Sequence, residues 1–290
     1  MTATALRALL AAGGVTHLPG VYDPPTAALA VRAGHRAAHL SGAACAALDL
    51  GLPDLGYVHG THIAERAARI TPALGGVPLL ADADTGYGDA LQAVWTARRY
   101  AAAGVSGLHL EDQVMPKRCG HLAGKELADA DAAARKIRAV VSDGTGIVVV
   151  ARTDAYTVTG LDDAISRGRA YAAAGADAVF LEGVSDLDEL ARAHAALPGV
   201  PLVLNRSEAG GPTAAASDAD LATAGVRLVL HPVAPLLAAL HAADDAYREI
   251  VATGRASVDR LAWSEFTGLV GQDEALALDA ASALDAKNSR

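Results

Sequence analysis

Residues 100–112 read YAAAGVSGLHLED: an alanine-rich stretch, then Ala-Gly, then a short apolar run closed by two acids. The same phrase recurs as AVRAGHRAAHLS (30–41), YAAAGADAVFLE (171–182) and ATAGVRLVLH (222–231). Glycine after a periodic stretch supplies the left-handed cap that ends a helix. The apolar run that follows is short and unalternated, as a strand buried on both faces must be. Each phrase is therefore a helix-to-strand step. THLPGV (16–21), VPLLADAD (77–84), GIVVVARTD (146–154) and VPLVLN (200–205) complete a series of eight candidate strands. Helical stretches lie between them at about 60–73, 89–103, 129–142, 161–173 and 186–196. Eight parallel strands alternating with helices close into an α/β (β/α)8 barrel of the TIM type. A doubly wound open sheet competes, but it wants a glycine fingerprint after its first strand, and PGVYDPP (19–25) supplies none. From Ala234 onward the sequence is helical again, and no linker divides it. The expectation is one barrel domain over 1–290, with 233–290 as a C-terminal helical extension.

Composition sets the outer bounds. Of 290 residues 52% are hydrophobic and 20% charged, enough apolar material for a large core. Aromatics are only 4%, which suits close-packed Ala, Val and Leu layers better than a β-sandwich. The formal charge of −9 comes without a basic face, so nucleic acid is not an expected partner. A small anionic substrate stays open, because a metal or a local cation cluster reverses the field inside one pocket. Two cysteines, Cys45 and Cys119, make no disulfide framework and read as cytoplasmic. The N-terminal stretch carries only Arg7 and no cleavage site, so no signal peptide is expected, and no apolar run is long enough to span a membrane.

A barrel of this kind builds its active site at the C-terminal ends of its strands. Those ends are Ser41, Asp82 with Asp84, Glu111 with Asp112, Arg152 with Asp154, Glu182, Asn205 and His231. One such residue is ordinarily a helix cap; seven converging on one ring need pairing or a metal. In Asp82-Ala83-Asp84, alternate strand residues share a face, and Glu111 on the next strand can join them. Three carboxylates without His or paired Cys fit Mg2+, or Mn2+, rather than zinc. The alternative is a turn in which Asp82 caps the helix at 89–103.

The run Glu111-Asp112-Gln113-Val114-Met115-Pro116-Lys117-Arg118-Cys119-Gly120-His121 reads as an active-site loop or lid. Arg118 and His121 flank Cys119, and cationic neighbours lower a thiol's pKa. Such a thiol is a nucleophile or a proton donor; otherwise it is a surface thiol. Cys45, set in apolar SGAACAALDL (41–50), reads as buried and inert.

DADTGYG (82–88), EDQVMPKRCGH (111–121), ARTDA (151–155), SGA (41–43) and GLPDLG (51–56) resemble, in order, the motifs of the isocitrate lyase/phosphoenolpyruvate mutase superfamily. The resemblance runs from about Pro19 to His231. Its KRCGH segment is similar to that of the carbon–carbon lyases such as 2-methylisocitrate lyase, and to carboxyphosphonoenolpyruvate mutase. The resemblance implies that Asp82 and Asp84 hold Mg2+ largely through water, with Glu111 in the surrounding shell and Asp54 near the metal waters. It implies that Ser41, Gly42 and Ala43 bind a substrate carboxylate through hydroxyl and backbone N–H groups, and that Arg152 grips the same fragment. Cys119 becomes the acid/base on a closing loop with Lys117, Gly120 and His121, while Glu182, Asn205 and Ser207 line the far side. Relatives form tetramers with exchanged C-terminal helices, which implies a homotetramer.

The implied reaction is Mg2+-dependent C–C cleavage of a 2-hydroxy di- or tricarboxylate, of the 2-methylisocitrate, isocitrate or alkylmalate type, to a 2-oxo acid and a carboxylate. A phosphonate-pathway mutase and an oxaloacetate hydrolase are the competing chemistries, and a non-catalytic barrel is the reading from outside enzymology. Two positions depart from the 2-methylisocitrate lyases. Ala43 replaces a glycine, and His231-Pro232 is followed by Val233-Ala234-Pro235-Leu236-Leu237 where those lyases soon carry an Arg for a distal carboxylate. Arg206 is either the replacement cation or a solvated loop residue.

Overall fold

The computed structural model describes residues 2–208 and 216–288. Eight parallel strands form one sheet: β1 (Thr16–Pro19), β2 (Ala38–Leu40), β3 (Leu79–Asp82), β4 (Gly107–Glu111), β5 (Val148–Thr153), β6 (Ala178–Leu181), β7 (Leu202–Asn205) and β8 (Val226–His231). Each strand from β2 to β8 pairs with the next in the chain, and β8 returns to β1 with Leu230 opposite Leu18. The seam between β1 and β2 is held by a bridge from Gly20 to His39 and by the Val21 N–H, which donates to the His39 carbonyl at 2.9 Å. This is the (β/α)8 barrel that the repeat predicts.

The helices are α1 (Thr2–Ala11), α2 (Pro24–Arg32), α3 (Gly42–Cys45), α4 (Gly60–Ile70), α5 (Ala90–Ala102), α6 (Ala130–Ser142), α7 (Leu161–Ala173), α8 (Leu187–Ala196), α9 (Asp218–Thr223), α10 (Ala234–Thr253), α11 (Trp263–Leu269) and α12 (Gln272–Asn288). Local chemistry starts them. Asp89 caps α5 by accepting from Leu91 N at 3.0 Å and Gln92 N at 3.2 Å, and Asp129 and Asp186 do the same for α6 and α8. Each such cap contributes about 1 kcal/mol. Because Asp89 caps α5, Asp82 is left for the site.

Two apolar layers hold the barrel. Outside the strands, Ala67, Ala97 and Ala134 let α4, α5 and α6 approach closely, with Tyr100 and Tyr171 filling the larger gaps. Inside, Leu18, Leu80, Val148, Phe180 and Leu228 meet Leu6, Leu9 and Leu10 of α1, which plugs the N-terminal mouth. A β-carbon on Gly107 would stand 2.7 Å from Leu6 Cδ2, so β4 starts with the residue that makes room for the plug. Burying each of these leucines contributes about 1.5–3 kcal/mol. One end of the barrel is thereby closed, and the strand C-termini at the other are left for chemistry.

The chain divides into two compact units, Met1–Leu236 with the barrel and Leu237–Arg290 with the rest of α10, α11 and α12. Among the described residues no helix is long and apolar enough to cross a membrane.

Candidate active site

The strand C-termini enclose a cavity of about 140 Å³. That is the space of four or five waters at about 30 Å³ each. Of the residues singled out in the sequence, Ser41, Ala43, Asp54, Asp82, Cys119, Gly120, His121, Arg152, Glu182, Asn205 and Ser207 line it. Gly42, Asp84, Glu111, Lys117 and Arg206 do not. His39, His109, Phe180, Leu230, Pro232 and Val233 also line it and were not foreseen. A wider groove of about 440 Å³ lies around Arg7, Asp177 and Gly225, but Arg7 there is already engaged by Asp177 at 2.8 Å and no strand C-terminus enters it.

The acidic side of the cavity is assembled by a turn rather than by strand alternation. β3 ends at Asp82, and Asp84 lies beyond it with φ of +44°, a left-handed conformation costing roughly 1–3 kcal/mol in a residue with a side chain. Its N–H donates to Asp82 Oδ1 at 3.1 Å, folding the chain back, while the Gly42 N–H donates to Asp82 Oδ2 at 3.1 Å. This corrects two expectations: Asp84 does not share a strand face with Asp82, and the Gly42 N–H is used by Asp82. Buried Lys117 bridges Asp54 and Asp84, reaching Asp84 Oδ1 at 2.8 Å. Burial opposes the lysine's charge, but Asp84, Glu111, Asp82 and Asp54 around it hold it firmly protonated. Burial and neighbouring Asp82 push Asp84 up to about 7. Asp82 lies below the usual carboxylate range: burial opposes this, but His109, Lys117 and Arg152 outweigh it.

Among the described residues, no three His, Cys, Asp or Glu side chains converge to hold a bare metal ion. The direct triad inferred from spacing is therefore corrected. Asp82 is engaged by two backbone N–H groups, Asp84 by Lys117, and Glu111 by Arg152 at 3.2 Å. Yet Oδ1 of Asp84 and both oxygens of Glu111 are buried without a hydrogen bond. Burial pushes Glu111 well above the carboxylate range. Crowded buried carboxylates that lack donors fit a hydrated Mg2+, which keeps several waters and is held through them.

Arg152, opposite Glu111 in the β4–β5 register, is the fixed cation of the cavity. Asp154 accepts from its Nε and Nη2 at 3.0 Å each, and Glu111 and Glu182 flank it at 3.2 and 3.7 Å. These carboxylates overcome the burial penalty and keep the guanidinium charged. Asp112 fixes the end of β5 from behind, accepting from Thr153 Oγ1 at 2.7 Å, Asp154 N at 3.1 Å and Tyr171 Oη at 2.6 Å. On the floor, His39 and His109 face each other, Nε2 to Nε2, at 3.0 Å. Burial pushes His39 down to about 3 and His109 down as well, so both are neutral at pH 7. A histidine inside an apolar strand (AHL, GLHLE) was the signal available for them.

The loop after β4 brings Cys119 over the cavity. Buried Lys125, unforeseen, ties it down by donating to the Gly120 carbonyl and to Asp154 Oδ1 at 3.1 Å. The thiol environment differs from the expected one. Sγ lies 3.8 Å from His121 Nδ1, but the Arg118 guanidinium packs near Gly124. Burial raises the Cys119 pKa and outweighs the lowering by the His121 backbone, Arg152 and Lys117. The group is a protonated thiol at neutral pH. Cys45 is fully buried and its pKa is raised by burial, as its apolar surroundings predict. Arg206 donates to the Ala216 carbonyl at 2.9 Å and does not line the cavity.

The model of the phosphoenolpyruvate phosphomutase family matches residues 6–251. The chain is 37% identical to 2,3-dimethylmalate lyase of Eubacterium barkeri, covering 94% of this chain and 95% of that protein. It is 42% identical to 2-methylisocitrate lyase of Bacillus subtilis, over 82% and 78% of the two chains. A crystal structure of 2,3-dimethylmalate lyase superposes with a TM-score of 0.90 at 37% identity, covering 97% of this chain and 95% of that one. Barrel, strand-end carboxylates and thiol loop thus occur together in a chain that belongs to the phosphoenolpyruvate mutase/isocitrate lyase superfamily.

Proposed function

We propose that this protein is a Mg2+-dependent carbon–carbon lyase that cleaves a 2-hydroxy di- or tricarboxylate to a 2-oxo acid and a second carboxylate. The observation that carries it is one cavity lined by a protonated thiol, a caged guanidinium and an acidic wall: Cys119, Arg152 and Asp82. The Ser41 hydroxyl and Arg152 bind the carboxylate of the 2-hydroxy fragment. As the hydroxyl loses its proton, C2 becomes a carbonyl and the C2–C3 bond breaks, leaving its electron pair on C3 as the enolate of a carboxylate. That dianion needs donors already oriented in a water-poor site, and Arg152 and His121 supply them. Cys119 then gives its proton to C3, for which a thiol held in its acid form at neutral pH is suited. Mg2+, held through water by Asp82 and Asp84 with Glu111 behind and Asp54 near its waters, would supply charge stabilisation at the hydroxyl oxygen. Gly120 and Lys117 position the loop, and Glu182, Asn205 and Ser207 complete the pocket around the departing fragment.

The test is 2-oxo acid release by the purified protein from 2-methylisocitrate, isocitrate and 2,3-dimethylmalate, with and without EDTA. Metal-dependent release from at least one supports the lyase. Release from none, with oxalate formed from oxaloacetate instead, would assign the hydrolase chemistry. We also propose a cytoplasmic homotetramer. The absence of any disulfide between Cys45 and Cys119 supports the first, and exposed Trp263, Leu276 and Leu278 in the C-terminal unit support burial against further copies.

A further inference from the structure

The polar and apolar linings of the cavity are segregated. Carboxylates, Arg152, Cys119 and His121 come from β3, β4, β5 and the thiol loop, whereas the end of β8 and the residues after it contribute Leu230, Pro232 and Val233. Phe180 of β6 extends this wall, with its ring 5.4 Å beneath the Arg152 guanidinium. The charge that does reach the wall is negative: Glu208 Oε2 accepts the Val233 N–H at 3.3 Å, which also removes that donor from an incoming anion. No cation faces it among the described residues lining the cavity, since Arg152 is enclosed by Glu111, Asp154 and Glu182 and Arg206 is turned to the Ala216 carbonyl. The intervening sequence 209–215, AGGPTAA, contains no Lys, Arg or His.

We infer that the substituent on C3 of the substrate is a small alkyl group rather than a carboxymethyl group, so that the substrate is a branched 2-hydroxy dicarboxylate and not a tricarboxylate. This rests on the lyase reading above. Two carboxylates have partners in the cavity: one at Ser41 and Arg152, the other, on the fragment that becomes the enolate, beside His121 and Asn205. A third would be buried against Leu230, Pro232 and Val233 with Glu208 close by, and an unpaired buried carboxylate is strongly disfavoured. A methyl group fits such a wall and gains from being there. The reaction balances without a redox partner. For 2,3-dimethylmalate, the hydroxyl O–H and the C2–C3 bond break, C2 becomes the carbonyl of pyruvate, and C3 takes a proton from the Cys119 thiol to give propionate. The hydroxyl proton restores the thiol through solvent.

The experiment compares kcat/KM for 2,3-dimethylmalate and 2-methylisocitrate with the full chain and Mg2+. Both yield pyruvate, so one assay serves, and propionate or succinate identifies the second product. The expected preference for the dicarboxylate is at least about 100-fold. Val233→Arg is expected to shift the ratio toward the tricarboxylate by at least about 10-fold, and Glu208→Gln to shift it the same way by a few fold. Equal or better cleavage of the tricarboxylate by the wild type overturns this inference and leaves the lyase standing. A ratio unmoved in folded Glu208→Gln also counts against it, and cleavage of neither compound removes both readings.

Discussion

Gly120 is pressed against Arg152: a β-carbon on Gly120 would lie 2.8 Å from the Arg152 Nη2 and 2.7 Å from Glu182 Cγ. Arg152 cannot withdraw, because Asp154 holds two of its nitrogens at 3.0 Å. A single methyl group at position 120 must therefore lift the loop, and Cys119 with it. Gly120→Ala is expected to lower kcat/KM about 100-fold, the scale of an ångström-sized misplacement, with the melting temperature nearly unchanged. A loss below about threefold would show that this contact does not set the position of the thiol.

Cys119→Ser keeps the shape of the loop but replaces the proton donor with one far less acidic. Turnover is expected to fall by about 10²–10⁴, with stability unaltered. Because burial raises the thiol above its ordinary value of 9.0, the wild-type acid form persists through neutral pH. The alkaline decline of kcat assigned to this thiol should then begin above pH 9. A decline centred near pH 7 that disappears in Cys119→Ser would mean a thiolate, and a different role.

Lys125 links the Gly120 carbonyl to Asp154 from a fully buried position. Removing one member of a buried ion pair costs about 3–5 kcal/mol, reduced here because Arg152 still pairs with Asp154. Lys125→Met is expected to destabilise by about 2 kcal/mol in urea unfolding and to lower kcat/KM as the loop loosens. Unchanged unfolding together with unchanged kinetics would remove Lys125 from the positioning of the loop.

Acid stability should depend on the histidines of the cavity floor. His39 stays neutral in the fold down to about pH 3, whereas in the unfolded chain it takes up a proton near 6.5. Between those values the unfolded state binds more protons, so stability falls as pH drops, by up to about 1.4 kcal/mol per pH unit. Above 6.5 the contribution is fully present. His109, also pushed down, acts in the same direction. His39→Gln is expected to flatten the dependence of the urea midpoint on pH between 6 and 4. An equally steep dependence in the variant would place the acid sensitivity elsewhere.

The barrel was legible because its evidence is periodic. Ala-Gly closing each helix and an unalternated apolar run after it are local signals, and α4 to α8 lie within the stretches they mark. Strand-end residues such as Ser41, Asp82, Arg152 and Glu182 were legible for the same reason, since a parallel barrel collects all strand C-termini at one mouth. His39 and His109 were passed over because a single histidine in an apolar strand is ordinarily a satisfied core residue, and their meeting is a cross-strand fact.

Sequence alone therefore determined which residues surround the site. It could not determine their state, because charge and direction depend on neighbours distant in the chain. Flanking cations made Cys119 read as an acidified thiol, but folding turns Arg118 away and buries the sulfur, so desolvation wins. Alternation placed Asp84 beside Asp82 on a strand, whereas a left-handed turn puts it there and Lys117, from another loop, engages it. Arg206 read as a cation for the pocket until the fold directed it to a carbonyl. Periodicity is written residue by residue; burial and pairing exist only once the chain has closed on itself.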